Sequence, residues 1–249
     1  MLGDFSKQAD AYAKARPDYP VAMLDRIIER LEISAGDCVV DMAAGTGLLT
    51  GQLIERGLDV VAVEPNESMR KIGEKMVSGA RWIHGTFEQV DLEDDSVKWM
   101  AIGQALHWAN LDKALPELAR VLCEGGCFTA MWNEREHGAN DVVDWTHKAV
   151  HRAASGYRQK YDKQEGYLAE IIRSGLFQLS HKDVAWHVVR MDRERYLNLW
   201  RSHNHLRVEA GEENYAKFMN ELEVYLEDRQ VEMVDVPYVC RSWSYMVKK

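Results

Sequence analysis

Proline, cysteine and positive charge are all scarce in this sequence, and each shortage closes off a class of protein. Five prolines and four cysteines in 249 residues leave no Pro/Gly/Ser-rich linker and no dense disulfide framework. Cys38, Cys123, Cys127 and Cys240 are scattered, which predicts reduced thiols. Gly125 and Gly126 stand between Cys123 and Cys127, so those two do not share a helical face and no structural zinc is expected. His147 and His151 are spaced for one helix face, but no third ligand accompanies them, so a hydrated face is expected and no metal. Against 40 acidic residues there are only 31 Lys and Arg, a net charge of -9. That balance disfavours a protein that grips phosphate backbones and favours a small-molecule partner over nucleic acid. No apolar run approaches the ~20 residues that span a bilayer, and Met1 to Gln8 lacks a signal-peptide pattern. Cytoplasmic residence without membrane association is the expectation, and nothing in the pattern speaks to oligomeric state.

What the sequence does contain is alternation. Val21, Leu24, Ile27, Ile28 and Leu31 predict a helix from about Pro20 to Leu31. Cys38-Val39-Val40 then reads as a strand buried on both faces, ending at Asp41. Leu48, Leu49, Leu53 and Ile54 mark a helix that stops at Gly57, and Val60 to Val63 is the next strand. Met69, Ile72 and Met76 give a third helix. Arg81 to His84 and Lys98 to Gly103 are strands, the second followed by a helix through Leu115, Leu118, Val121 and Leu122 that Gly125-Gly126 ends. Phe128 to Trp132 is a fifth strand. Five such alternations predict an α/β fold with a doubly wound, mostly parallel sheet.

The character then changes. Residues from about Asp141 to Ser174 read as wholly helical, Val184, Trp186 and Val188 as a half-exposed strand, Asp192 to Glu232 as mostly helical, and Pro237 to Val247 as a final strand. The expected organisation is one domain over 1–249, with an N-terminal arm over 1–20 and helical cap segments near 136–176 and 190–234.

The turn Gly45-Thr46-Gly47 would sit at the carboxyl ends of the strands, where open parallel sheets bind ligands. Glycines there allow positive φ and close approach to the backbone N–H groups that open a helix. A dinucleotide fingerprint requires a third Gly or Ala where Thr50 stands, and Asp41 lies four residues before the first glycine. A carboxylate there suits a ligand with a cationic amino-acid end, and Glu64 at the end of the second strand is placed to accept ribose hydroxyls.

Several segments resemble one family. They are Ala15-Arg16-Pro17-Asp18-Tyr19-Pro20, Val40-Asp41-Met42-Ala43-Ala44-Gly45-Thr46-Gly47, Ala62-Val63-Glu64-Pro65 with Met69, and Gln104-Ala105-Leu106-His107-Trp108. The run Glu117 to Leu122 with Gly125-Gly126, then Trp132-Asn133-Glu134-Arg135, adds a fifth match. Together they resemble class I S-adenosylmethionine-dependent methyltransferases of type 11, grouped around trans-aconitate methyltransferase. The resemblance covers about the first 135 residues and implies a Rossmann-like sheet of seven strands, the last antiparallel, with S-adenosylmethionine as cofactor. It implies cofactor contacts from Tyr12, Arg16, Asp41, Ala43, Gly45, Gly47, Glu64, Pro65, Met69, Thr86, Phe87, Gln104 and Leu106. Two positions depart from the pattern: Ala43 stands where many relatives have a first glycine, and Thr86 where many have an aspartate for adenine. A methyl at Ala43 fits if that residue keeps a negative φ.

Methyl transfer from a sulfonium is an in-line displacement, so alignment and water exclusion dominate. His107 could act as general base for a phenol or alcohol, or simply wall the pocket with Trp108; a carboxylate acceptor needs no base. Phe5, Tyr12, Arg16 and Tyr19 are candidate lid residues, with Pro17 keeping Arg16 out of a helix and its guanidinium free for the methionine carboxylate. Trp108, Trp132 and Arg135 are candidate acceptor contacts, and Trp145, Tyr157, Tyr161, Trp186, Trp200, Arg158, His203 and Arg207 are further aromatic and basic residues able to enclose an anionic or aromatic acceptor. The expectation is methylation of a small molecule, most simply at oxygen. A nicotinamide-dependent oxidoreductase and a catalytically silent binding module are the alternatives.

Overall fold

In a computed structural model the described residues are 15–138, 140–157 and 164–249. Phe5, Tyr12, Arg158 and Tyr161, singled out above, lie outside them. The chain order is α1 (Val21–Arg30), β1 (Cys38–Met42), α2 (Leu48–Ile54), β2 (Asp59–Val63), α3 (Glu67–Met76) and β3 (Arg81–Ile83). Next come a short hairpin of β4 (Gly85–Thr86) and β5 (Gln89–Val90), then β6 (Val97–Gly103), α4 (Leu111–Val121) and β7 (Leu122–Arg135). The remainder is α5 (Asp141–Ala153), α6 (Gln164–Arg173), β8 (Phe177–Asp192), α7 (Arg193–Arg201), α8 (Asn204–Asp228) and β9 (Met233–Val247).

Seven strands form one sheet in the order β3-β2-β1-β6-β7-β9-β8. β1 pairs in parallel with β2 and β6, β2 with β3, and β6 with β7. Phe128 stacks on Tyr245 while Thr129 meets Ser244, so β9 recedes as β7 advances and runs antiparallel to it. The doubly wound sheet with an antiparallel late strand is the architecture the alternation and the resemblance led us to expect. Chain order reverses between β1 and β6, which opens the ligand crevice at their carboxyl ends. The Val-rich runs form strands because both sheet faces are covered: Val39, Val40, Val60, Ala62, Val63, Trp99, Met100, Ala101 and Ile102 are fully buried.

The chain divides into two compact units. The sheet unit comprises Asp18–Asn133, Tyr161–Ala185 and Cys240–Lys249. The helical unit comprises Met1–Pro17, Glu134–Lys160 and Trp186–Val239, with its own core of Val143, Val150, Tyr196, Trp200, Leu206, Phe218, Leu222 and Leu226.

Four local expectations are corrected. Helix α4 stops at Val121, and β7 starts at once; Gly125-Gly126 lies in an irregularity where β7 slips against β6, and a side chain at Gly126 would strike the Cys123 carbonyl. The stretch from Asp141 is interrupted, since α5 ends at Ala153 and Ala154 to Tyr157 is not helical. On β8, Val184, Trp186 and Val188 form the half-exposed strand expected, but they are on its solvent face, so Trp186 stands in solvent rather than in an enclosing wall. The final strand begins at Met233, four residues before Pro237. No disulfide joins Cys38, Cys123, Cys127 or Cys240.

Candidate functional site

The site is built on the carboxyl ends of β1, β2 and β6. Asp41, on β1, is buried, and its Oδ2 accepts a 2.6 Å hydrogen bond from the Thr50 hydroxyl on α2. Burial pushes the Asp41 carboxyl up to about 7, the Thr50 bonds oppose that rise, and the nearby Glu64 charge adds to it. Thr50, noted in the sequence only as a missing glycine, is therefore the partner of the key carboxylate.

The turn follows. Gly45 and Gly47 have φ of 61° and 88°, as the glycines predict, and Gly47 starts α2. Ala43 has φ 61°, so the condition under which its methyl fits without strain is not met, and this alanine carries a steric cost that a glycine there avoids. At the end of β2, Glu64 closes the turn from the other side. Its Oε2 accepts from the Gly45 N–H and its Oε1 from the Asn66 N–H, both at 2.8 Å. Arg70 donates to the Glu64 carbonyl at 3.0 Å and fixes the strand end. Burial raises the Glu64 carboxyl above its ordinary range, against the pull of those N–H groups and of Arg70 and His84.

Asn66 caps α3 by accepting from Met69 N–H at 3.1 Å, and this sets Met69 against the turn: a side chain on Gly45 would meet the Met69 methyl at 3.4 Å. Met69 and Phe87 are buried and apolar, while Pro65 is exposed. The Thr86 hydroxyl accepts from Glu88 N–H at 3.2 Å in the β4–β5 turn.

At the end of β6, Gln104 takes φ 57° and ties β6 to β7, its N–H donating to the Met131 carbonyl and its Nε2 to the Asn133 carbonyl, both at 2.8 Å. A single 3-10 turn over Leu106–Trp108 follows. Leu106 is buried in the core cluster that also holds Phe87. His107 is half-buried, its ring 4.7 Å from the Trp108 ring, and Trp108 is exposed. Trp132 is buried edge-on against Trp243 at 5.6 Å, a core packing role rather than an exposed acceptor wall.

Two contacts that sequence reasoning missed pin the entry segment. Gln52 on α2 accepts from Tyr19 N–H at 2.9 Å and donates to the Tyr19 carbonyl at 2.8 Å. Asn133 donates to the Asp18 carbonyl at 3.1 Å. Tyr19 is thereby seated so that a side chain on Gly103 would overlap its hydroxyl. No spacing rule pairs residues 33 apart across a strand and a helix, so the sequence carried no signal for this clasp.

Arg16 belongs to the helical unit and is outside any helix, as Pro17 predicts. Its guanidinium is not free as expected: it donates to the Ser202 carbonyl at 3.4 Å. In the same unit the Arg135 guanidinium lies 4.3 Å over the Trp200 ring, and Trp145 stacks on Tyr225 at 3.9 Å.

The crevice fits an adenosylated amino acid. Glycines clear the turn, the two Glu64 oxygens each keep a lone pair for a ribose hydroxyl, and Met69 and Phe87 give apolar surface for a base. The comparisons agree. The methyltransferase domain family of type 11 matches residues 40–130. An uncharacterised methyltransferase of Mycobacterium bovis is 39% identical over 136 residues, 55% of this chain, so the chain spans about half the length of that relative, 54%. An uncharacterised methyltransferase of Geobacillus kaustophilus is 32% identical over 193 residues, covering 72% of this chain and 90% of that protein. Among solved structures, one named as a type II methyltransferase from Anaeromyxobacter dehalogenans superposes with a TM-score of 0.66 at 20% identity, over 94% of this chain and 97% of that one, which shows the shared fold. This chain belongs to the type 11 family of class I S-adenosylmethionine-dependent methyltransferases.

Proposed function

We propose that the protein transfers a methyl group from S-adenosylmethionine to a small-molecule acceptor, at oxygen, in the cytoplasm. The observation that carries this reading is the pair of buried carboxylates around the glycine turn, Asp41 under it and Glu64 holding Gly45 N–H from β2. When bound, the cofactor supplies a methyl group on a positively charged sulfur. The chain's own residues hold and align. Glu64 would accept from the ribose, Gly45 and Gly47 would admit the ligand to the backbone, and Met69 and Phe87 would give the adenine apolar surface with Thr86 and Pro65 beside it. Asp41 and Gln104 would serve the amino-acid end. His107 and Trp108 form the wall after β6 that excludes water. For a carboxylate acceptor no proton has to move; for a hydroxyl, a His107 ring nitrogen is the group that takes it.

A net charge of -9 supports a small acceptor over nucleic acid, and no described helix is long and apolar enough to cross a membrane. Titration calorimetry with S-adenosylmethionine tests the reading. Binding is expected, and Glu64→Gln should weaken it about tenfold or more, since one acceptor oxygen is lost. Heat with NADH and none with S-adenosylmethionine overturns the proposal. Cofactor binding without methyl-labelled product from any of a broad acceptor panel would point to a silent binding module.

A further inference from the structure

Strand β3 is three residues long and forms one edge of the sheet, yet it reaches both sides of the cofactor crevice. The Ile83 carbonyl accepts from the Glu64 N–H at 3.1 Å and so fixes the backbone of the acidic residue that ends β2. One residue earlier, Trp82 pairs with Ala62 of β2 and lays its half-buried ring on α3, against the start of α2. The ring is locked in place, because Nε1 donates to the Val77 carbonyl at 3.1 Å, where α3 ends.

Two glycines make room for that ring. A side chain on Gly73, in α3, would overlap Trp82 Cη2, and one on Gly47 would come within 3.1 Å of Trp82 Cζ2 and 3.0 Å of Val77 Cγ2. Glycine inside a helix destabilises it relative to alanine. Gly73 is buried within α3 and has no positive φ to justify it, so space is its reason: the indole occupies the volume that a side chain would fill.

Helix α3 is therefore held at both ends by groups of the crevice. At its start, Asn66 N–H is bound by Glu64, and Met69 stands against Gly45. At its end, Trp82 separates Gly73 from Gly47, the residue that opens α2. The gap between the glycine turn and the segment from Glu64 to Met69 is thus the thickness of packed side chains, and close-packed interiors pass a change of volume on as a shift of their neighbours.

We propose that Trp82 is a positioning residue for S-adenosylmethionine: wedged between Gly73 and Gly47, it sets the width of the crevice between the glycine turn and the segment from Glu64 to Met69. The proposal rests on the methyltransferase reading of that crevice. Trp82 acts through Gly47 on the turn and through α3 on Met69. A ring that only filled space would govern the melting temperature and leave the affinity of the folded protein alone.

Calorimetry with S-adenosylmethionine and with S-adenosylhomocysteine, well below the thermal midpoint of each protein, tests this. Trp82→Phe removes the ring atoms that lie on Gly73 and Gly47, and Gly73→Ala pushes against them. Each folded variant should bind both compounds about tenfold more weakly than wild type. Because the two changes act on one contact, the double variant should bind no more weakly than Trp82→Phe alone. Wild-type affinity in either folded variant overturns the proposal, and so do losses that multiply in the double variant. Should neither variant fold, the indole N–H resonance of Trp82 in the wild-type protein decides. It must shift when S-adenosylhomocysteine binds, and a stationary resonance overturns the proposal. If the wild-type protein binds neither compound, the methyltransferase reading falls and this proposal with it; wild-type binding that the variants retain ends this proposal alone.

Discussion

The Thr50 hydroxyl donates to Asp41 Oδ2 at the base of the glycine turn, at 2.6 Å, and both residues are sealed from solvent. The bond holds β1 and α2 together across the ligand site. Replacing Thr50 with Val keeps the shape and strips a buried carboxylate of its hydroxyl donor, leaving the Thr50 backbone bond, which should cost about 2 kcal/mol. Chemical denaturation measures this directly, and a loss under about 0.5 kcal/mol would mean that another group stabilises Asp41.

Asp41 itself makes stability depend on pH. Its carboxyl titrates at about 7 in the folded protein and near 3.9 when unfolded, so the folded state binds the extra proton between those values. Stability from this group is present in full below about pH 4 and drains away as pH rises to about 7, by roughly 4 kcal/mol in total. Asp41→Asn removes the titration. The variant should melt higher than wild type at pH 8, with the gap shrinking steadily toward pH 5; a gap that does not change with pH contradicts the assignment. Cofactor affinity should fall in the same variant, since the site loses a charge.

Ala43 sits at φ 61°, where a Cβ is strained. Ala43→Gly should therefore stabilise the fold by about 1 kcal/mol, because the native strain removed exceeds the added chain entropy of a glycine. A raised thermal midpoint with unchanged cofactor affinity is expected, and a lowered midpoint would show that the methyl makes packing contacts worth more than the strain.

Much of the sheet was legible because buried parallel strands declare themselves: Val39-Val40 and Val60 to Val63 have no polar interruption, and glycines punctuate their ends. Gly45, Gly47 and Glu64 were readable for the same local reason. What escaped was long-range or ambiguous. Gly125-Gly126 suits a helix end as well as a strand irregularity, and only the partner β6 decides. Val184, Trp186 and Val188 gave the period of a strand but not which face meets solvent, since that depends on where β8 lies in the sheet. Thr50 and Gln52 act on Asp41 and Tyr19 from a helix whose rotation no sequence period fixes to the needed few degrees.

The Tyr19 clasp makes Gly103 irreplaceable. A methyl there would overlap the Tyr19 hydroxyl and crowd its ring, while Gln52 holds the Tyr19 backbone at both N–H and carbonyl. Gly103→Ala should destabilise by about 1–3 kcal/mol, and adding Tyr19→Phe should recover part of the loss by removing the nearest atom. Additive losses in the double variant would place the clash elsewhere.

His107 decides whether a proton is moved. If the acceptor attacks the methyl carbon through an anionic carboxylate oxygen, nothing has to be deprotonated, and the half-buried ring against Trp108 acts as wall. His107→Gln should then reduce kcat/KM by less than about tenfold and leave the shape of the pH profile alone, because glutamine still fills space and excludes water. A general base behaves otherwise: the variant would lose a factor of about 100 to 10,000 in kcat together with the rising limb of the pH profile. Comparing kcat and KM of the two proteins from pH 5 to 9 separates the cases. A wall alters KM and kcat modestly at every pH, and a base removes a pH-dependent step, so the disappearance of that limb would convert the acceptor from a carboxylate to a hydroxyl.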